Sequence, residues 1–315
     1  MTLTHQTRSA AGTAAPAWLG LTPGLFVLLW STGFIGAGMG LPHAEPMTFL
    51  AWRFGLAVLL FVAIAILWRA PWPRPREALH ASVVGTMLHG VYLGGVFAAI
   101  ARGMPVGLSA LIVGIQPILA ALAAGPLLAE RVSAMQWLGS ITAFAGLVLV
   151  VWNKTGVTGD AGWAWDGVAM ALCIAALVGI TAANIYQKRF GQGQDMRTAG
   201  VFQYGAALAV TMPAVLLFET GHVNWTGELV FALTWLVLVL SVGAVPLLML
   251  LIRFGEVSRV TGLFYLVPPV TAIMAFILFG EKMTPVEIVG VGITAVGVAL
   301  ATRPGRGSTP DARAG

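Results

Sequence analysis

A few residues able to donate, accept or carry a proton stand inside runs that are otherwise apolar. His89 lies 12 residues from Glu77 and 13 from Arg102, and Gln116 lies 12 from Met104 and 14 from Glu130. A histidine titrates near neutral pH, so His89 could relay a proton or bind a carboxylate. A glutamine amide both donates and accepts hydrogen bonds, as recognition of a polar cargo requires. Arg53 sits seven residues into its run, about 10 Å deep at ~1.5 Å per residue. Either it snorkels outward or pairs with Glu45, or it faces a cavity and attracts anions. Trp30, Ser31 and Thr32 break another run; Asn184 with Gln187, and Gln203 with Tyr204, break two more. Tyr92 shares the face of His89, and Tyr265 precedes a proline break. With Phe34 these would line a partly aromatic cavity suited to amphipathic small molecules. Singly, each serves equally well as a packing residue between helices.

Other chemistry has no residues to carry it. The sequence contains no G-x-x-x-x-G-K-[ST] loop, H-E-x-x-H or G-x-S-x-G, no cysteine cluster and no mid-helix carboxylate pair. ATP-driven transport, metal hydrolysis and acyl transfer therefore have no foundation here. No cofactor, metal or catalytic residue is expected. A membrane-embedded enzyme acting on a lipid-linked substrate would need a nucleophile, acid and base gathered at one membrane face.

The elements that position these residues follow from composition. Of 315 residues, 58% are hydrophobic and 9% charged, and mean hydropathy is +0.89. Soluble domains carry roughly 25% charged residues. Ten apolar stretches occur, at roughly 18–40, 46–68, 78–100, 106–129, 134–152, 166–187, 198–218, 228–252, 258–280 and 285–302, each near the ~20 residues that span a bilayer core. The strands of a β-barrel would instead be about 10 residues of alternating pattern. The expectation is an all-α integral membrane protein with ten transmembrane helices. Residues 1–17 are expected to form a disordered tail, with a cleaved signal peptide as the rival reading, 153–165 a linker and 303–315 a second tail. The single Cys173 excludes an internal disulfide.

A sequence pI of about 9.9 reflects topology rather than nucleic acid. With a cytoplasmic N-terminus, thirteen of the seventeen Lys and Arg residues fall inside, and only Arg102, Lys154 and Lys282 fall outside. That asymmetry puts both termini in the cytoplasm of a cell with the protein in its inner membrane, and 153–165 in the periplasm.

The chain also repeats itself. Arg102 and Arg253, Pro117 and Pro268, Glu130 and Glu281, Ser133 and Thr284, Gly139 and Gly290, Gly146 and Gly297 all stand 151 residues apart. Two five-helix halves result, 18–152 and 166–302. Five is odd, so the second half enters the membrane inverted, a plan recurrent in secondary transporters with a site at mid-bilayer. Pro117, Pro268 and Pro269 interrupt the fourth and ninth helices and would free the carbonyls of Val113 and Phe264, as hinges or as a polar lining. Ser133 with Gln136, and Thr284 with Glu287, read as capping boxes, so Glu130-Arg131 and Glu281-Lys282 mark tight turns, or else form gating ion pairs. The four glycines read as sites of close helix packing, or else as a dimer face.

The stretches "QPILAALAAGPLLAERVSAMQWLG" and "PPVTAIMAFILFGEKMTPVEIVG", with "WSTGFIGA" and "FLAWRFGLAVLL", resemble the EamA family of the drug/metabolite transporter superfamily over about 20–302. The resemblance implies a ten-helix inverted repeat with alternating access, often running outward. The expected partners are a small-molecule substrate and membrane lipid, with no nucleic acid, in a monomer or homodimer. The cargo expected is a small metabolite such as an amino acid, exported. Import or multidrug export are the alternatives on the same fold.

Overall fold

The computed structural model describes residues 21–104, 106–152, 167–279 and 283–303. Residues 1–17 and 153–165, Glu281-Lys282 and most of the 303–315 tail lie outside the described residues. The described chain is helical, with one isolated bridge between Ala44 and Val223 in place of any strand. Among the described residues, nine helices are long and apolar enough to cross a membrane, and a shorter apolar one spans Pro285–Ala301.

In chain order these are α1 (Thr22–Gly40), α2 (Pro46–Leu67), α3 (Pro75–Ala101), α4 (Val106–Val113 and Gln116–Leu128), α5 (Ala134–Trp152) and α6 (Gly167–Phe190). There follow α7 (Met196–Phe218), α8 (Gly227–Phe254), α9 (Val257–Gly262, Leu263–Leu266 and Val267–Phe279) and α10 (Pro285–Ala301). Connections 41–45 and 219–226 meet at one end of the bundle, where Asn224 N–H donates to the His43 carbonyl at 2.8 Å. At the other end the Gln194 amide donates to the Glu77 carbonyl at 3.1 Å, and the Thr198 hydroxyl to the Pro71 carbonyl at 3.0 Å. These are called below the Glu45 end and the Glu130 end.

Four helices depart from regular α geometry where the sequence gives cause. The break in α4 falls at Gly114-Ile115, just before Pro117, which cannot donate to a carbonyl one turn back. In α9 the last turn before Pro268 tightens to 3₁₀ over Leu263–Leu266. The Val267 N–H there bonds the Phe264 carbonyl. This corrects the expectation that Pro268 leaves the Phe264 carbonyl free to line a cavity. Helices α3 and α8 each contain a π segment, Thr86–Leu93 and Leu236–Ala244. Such wide turns often occur at functional sites. The first carries His89 and Tyr92; the second ends just before Pro246.

The capping boxes form. Ser133 N–H donates to Gln136 Oε1 at 2.7 Å and Gln136 N–H returns to Ser133 Oγ at 3.2 Å. Thr284 and Glu287 exchange the same pair at 2.7 and 3.3 Å. The four glycines act within the chain. A Cβ on Gly146 would lie 2.5 Å from Thr294 N, and one on Gly290 2.9 Å from the Gly146 carbonyl. Gly139 and Gly297 lie against the Ala301 and Ala143 backbones as closely. Small residues let α5 and α10 meet backbone to backbone, where apolar burial gives little drive and van der Waals contact must hold the pair.

Candidate functional site

A cavity of about 180 Å³ opens among α1, α3, α4, α5, α6 and α9 towards the Glu45 end. Its walls include Trp30, Phe34, Leu41, Phe97, Ile100, Ser109, Leu147, Ile180 and Phe264, with Tyr92, Gln116 and Pro268. The aromatic wall is fixed by edge contacts: Trp30 and Phe264 have ring centroids 5.3 Å apart at 86°, and Phe26 braces both from behind. Gln116 is 1% exposed, and neither its oxygen nor its nitrogen has a hydrogen-bond partner. A buried amide left so costs about 1–3 kcal/mol unless water or a ligand satisfies it.

A smaller chamber of about 60 Å³ adjoins this cavity, sharing Trp30, Phe34, Tyr92 and Phe97 with it and adding Arg53, His89 and Leu240. Arg53 is 5% exposed and His89 1%, and Arg53 Nε and His89 Nε2 lack partners. Arg53 lies on the wall of this chamber, and no ion pair joins it to Glu45. Glu45 Oε2 is occupied by Thr220 N–H and Oγ1, both at 2.9 Å, and by His222 N–H at 3.2 Å.

From the Glu130 end a crevice of only about 20 Å³ reaches Gln203 and Tyr204, beside Gln187, Gln194 and Arg253. One aromatic layer separates it from the chamber. The His89 and Tyr204 rings stack at 4.3 Å and 16°, with Phe61 stacked on the other side of Tyr204 at 5.7 Å.

Other expected lining residues fall elsewhere. Ser31 Oγ donates to the Val27 carbonyl at 2.7 Å and reaches the Val267 carbonyl of α9 at 3.3 Å, so it tethers the break rather than facing the cavity. Thr32 Oγ1 donates to the Leu29 carbonyl and accepts from Trp235 Nε1 at 2.9 Å. Asn184 and Tyr265 are buried with unpaired polar atoms but line neither chamber. Pro117 and Pro269 also lie off the walls. The residues that sequence reasoning passed over are apolar, Phe97, Leu147, Ile180 and Phe264 among them. An apolar side chain carries the same signal whether it meets lipid, core or cavity.

The Glu130 end is clasped. Glu130 accepts from the N–H groups of Val257 and Ser258, at 3.0 and 3.4 Å, and so caps the start of α9 from the α4–α5 turn. Lys188 Nζ donates to the carbonyls of Ile252 at 3.0 Å and Gly255 at 2.6 Å, tying α6 to the end of α8. Gln136 Nε2 reaches Glu256 at 3.4 Å, and Glu256 pairs with Arg259 at 2.7 Å. Glu130 thus does more than mark a turn; it joins distant segments of the chain. Among the described residues no group of His, Cys, Asp and Glu could hold a metal ion.

A cavity of this kind inside a bundle of membrane-length helices is the arrangement of a transporter, and the comparisons with known proteins agree. The model of the EamA-like transporter family matches residues 20–152 and 166–303. The chain belongs to that family. Among curated proteins the EamA-like chain is 24% identical over 277 residues to the uncharacterized inner membrane transporter YedA of Escherichia coli strain K12, 87% of each. It is 24% identical over 286 residues to a probable amino-acid metabolite efflux pump of Salmonella typhimurium strain LT2, 87% of this chain and 91% of that one. It is 26% identical over 209 residues to a probable terminal-alkyne amino-acid exporter of Streptantibioticus cattleyicolor, 64% and 65%. A crystal structure at 20% identity shares the fold, with a TM-score of 0.75 over 91% of this chain and 97% of its own. The EamA-like chain is a multi-pass membrane transporter and not an enzyme.

Proposed function

We propose that this chain is a secondary transporter of the inner membrane that exports a small metabolite, such as an amino acid, by alternating access. The observation that carries the reading is the asymmetry of the pathway: a cavity with a polar floor open towards one end, and a clasp of carboxylate and ammonium on backbone groups at the other. A solute bound at Gln116, Tyr92 and His89 would leave by the Glu45 end in this state. Opening the Glu130 end would expose the same residues to the opposite side. The printed names of the Salmonella and Streptantibioticus relatives favour amino-acid-like cargo and outward movement.

The architecture we assign is ten spanning helices in two inverted halves, 18–152 and 166–302, with both termini cytoplasmic. Its support is that the distortions recur at the offset of the sequence repeat. The π segments end at Leu93 and Ala244, and the break at Gly114-Ile115 corresponds to the 3₁₀ turn ending at Leu266. The hinge role of Pro117, Pro268 and Pro269 belongs to this proposal. So does the role of Gln203 and Tyr204 as the surfaces a solute meets from the Glu130 end. A reporter fused after Gly315 should read cytoplasmic; a periplasmic reading would overturn the topology.

Transport is tested by untargeted mass spectrometry of medium and cytosol from cells expressing the wild type or a Gln116→Ala/His89→Ala variant at equal membrane levels. A metabolite enriched in the medium with the wild type alone is the expected result. Enrichment in the cytosol would reverse the direction, and identical profiles would remove the cavity assignment.

A further inference from the structure

Among the described residues, Arg53 is the one permanent cation on the wall of either chamber, and no described acid balances it. Arg53 is 5% exposed, and its Nε has no hydrogen-bond partner. Its electrostatic neighbours are Tyr92, Tyr204 and His89, none of them a carboxylate. The acids on the adjoining connections are already engaged. Glu45 is held by Thr220 and His222, and Glu219 accepts from the N–H groups of Met47 and Thr48 at 2.7 and 2.6 Å. An arginine stays charged at any physiological pH. A buried charge without a counter-ion is costly, so a site that keeps one is suited to receive its counter-charge from a ligand. The opposite lack matters as much: among the described residues no Asp or Glu lines either chamber to receive an ammonium group.

We infer that the cargo is a net monoanion, a carboxylate on an apolar or aromatic body, whose carboxylate pairs with Arg53 and whose body lies against Trp30, Phe34, Phe97 and Phe264. The inference rests on the reading of this cavity as the transport site, and among small metabolites it favours a carboxylate without a free ammonium group over the free amino acid named there. A planar carboxylate matches the guanidinium fork in a bidentate pair. A single positive charge matches one negative charge better than a phosphate dianion. The ammonium of a free amino acid would meet aromatic faces, hydroxyls and the neutral Gln116 amide, but no carboxylate among the described wall residues. A molecule lacking that group, or carrying it acylated, leaves no charge unpaired.

Calorimetric titration of the purified full chain in lipid nanodiscs, with four probes that share one phenyl body, tests this. They are 3-phenylpropionate, phenylalanine, phenethylamine and phenyl phosphate. The expected order places 3-phenylpropionate first, about tenfold or more ahead of phenylalanine, with phenethylamine not bound. Arg53→Gln should weaken 3-phenylpropionate by about thirtyfold or more, as loss of one partner of a buried charge pair does. Arg53→Lys, which keeps the charge but not the fork, should fall between, and it decides the matter if Arg53→Gln does not fold. Equal or tighter binding of phenylalanine or phenyl phosphate, no binding of any probe, or indifference of 3-phenylpropionate to both variants would overturn the inference. The two readings can fail apart. A zwitterion or cation exported by the wild type and not by the Gln116→Ala/His89→Ala variant would leave the transporter standing and remove the monoanion.

Discussion

The two ends of the bundle are held by the same chemistry and to opposite effect. At the Glu45 end, Glu45 and Glu219 accept from the backbone across the α2–α7 contact, and the cavity mouth between α1, α3 and α4 lies beside that clasp. At the Glu130 end, Glu130 spans from the α4–α5 turn to the start of α9, and the crevice there holds about 20 Å³. Carboxylates on helix N-termini join elements without salt bridges, because the unbonded N–H groups there favour an anion. The two ends differ in where the clasp lies relative to the cavity. A carboxylate capping backbone groups can also be released without leaving two buried charges apart, which would suit the alternating access proposed above.

That contrast can be broken most directly at Glu130. Glu130→Ala removes two N–H contacts to a charged group, each worth about 1.5–3 kcal/mol, so the population open at that end should rise by about tenfold or more. In a Cys173→Ser background, Gln203→Cys should then react faster with maleimide from the Glu130 end, and Val96→Cys more slowly from the Glu45 end. Unchanged rates at both would mean that Glu130 does not hold the end shut. Lys188→Met should move the same two rates in the same directions but less, since the carbonyls it leaves lie nearer to water.

Substitutions beside the pathway sharpen the comparison by changing stability without changing which end is open. Ser133→Ala loses a cap and should cost about 1 kcal/mol. It should lower the melting temperature in nanodiscs while both labelling rates stay as in the wild type. Asp195 caps α7 through the Arg197 N–H at 2.9 Å and pairs with the Arg197 side chain at 2.6 Å. The Arg197 guanidinium hydrogen bond holds the Asp195 carboxyl below its ordinary range. A carboxyl depressed on folding adds stability that is complete above its unfolded pKa and is lost as pH falls through the folded one. The melting-temperature gap between wild type and Asp195→Asn should therefore be constant near neutrality and close in acid. A gap that widens in acid would reverse the assignment. The smallest effect is expected at Ala129, whose φ of 58° is left-handed and aims Glu130 at α9. Ala129→Gly relieves about 1 kcal/mol of backbone strain and should leave labelling and melting nearly unchanged or slightly improved.

The helices were legible because bilayer thickness imposes length and apolarity on each of them, and the breaks at Pro117 and Pro268 because a missing donor has a fixed consequence. The capping boxes could be read because a hydroxyl and an acid or amide three residues on have one obvious geometry. The site was less so. Gln116, His89, Tyr92 and Arg53 stand out as polar in apolar surroundings, but so do Ser31, Thr32 and Asn184, and polarity does not separate a hydroxyl bonded to its own helix from one facing a cavity. The clasp escaped because half of it is backbone. Nothing in the side chains of Val257 and Ser258 announces that their N–H groups are targets.

The glycine seam between α5 and α10 sets the mechanics of any such cycle. Two helices from opposite halves of the chain touch there through main-chain atoms, with no flexible side chains between them to absorb a slide. Translation along that contact would drive backbone into backbone; only a small rotation keeps it. The seam would thus act as an axle, and the Glu130 clasp sits at its end, where the α4–α5 turn leads into α5 and Gln136 of α5 reaches Glu256 beside Val257.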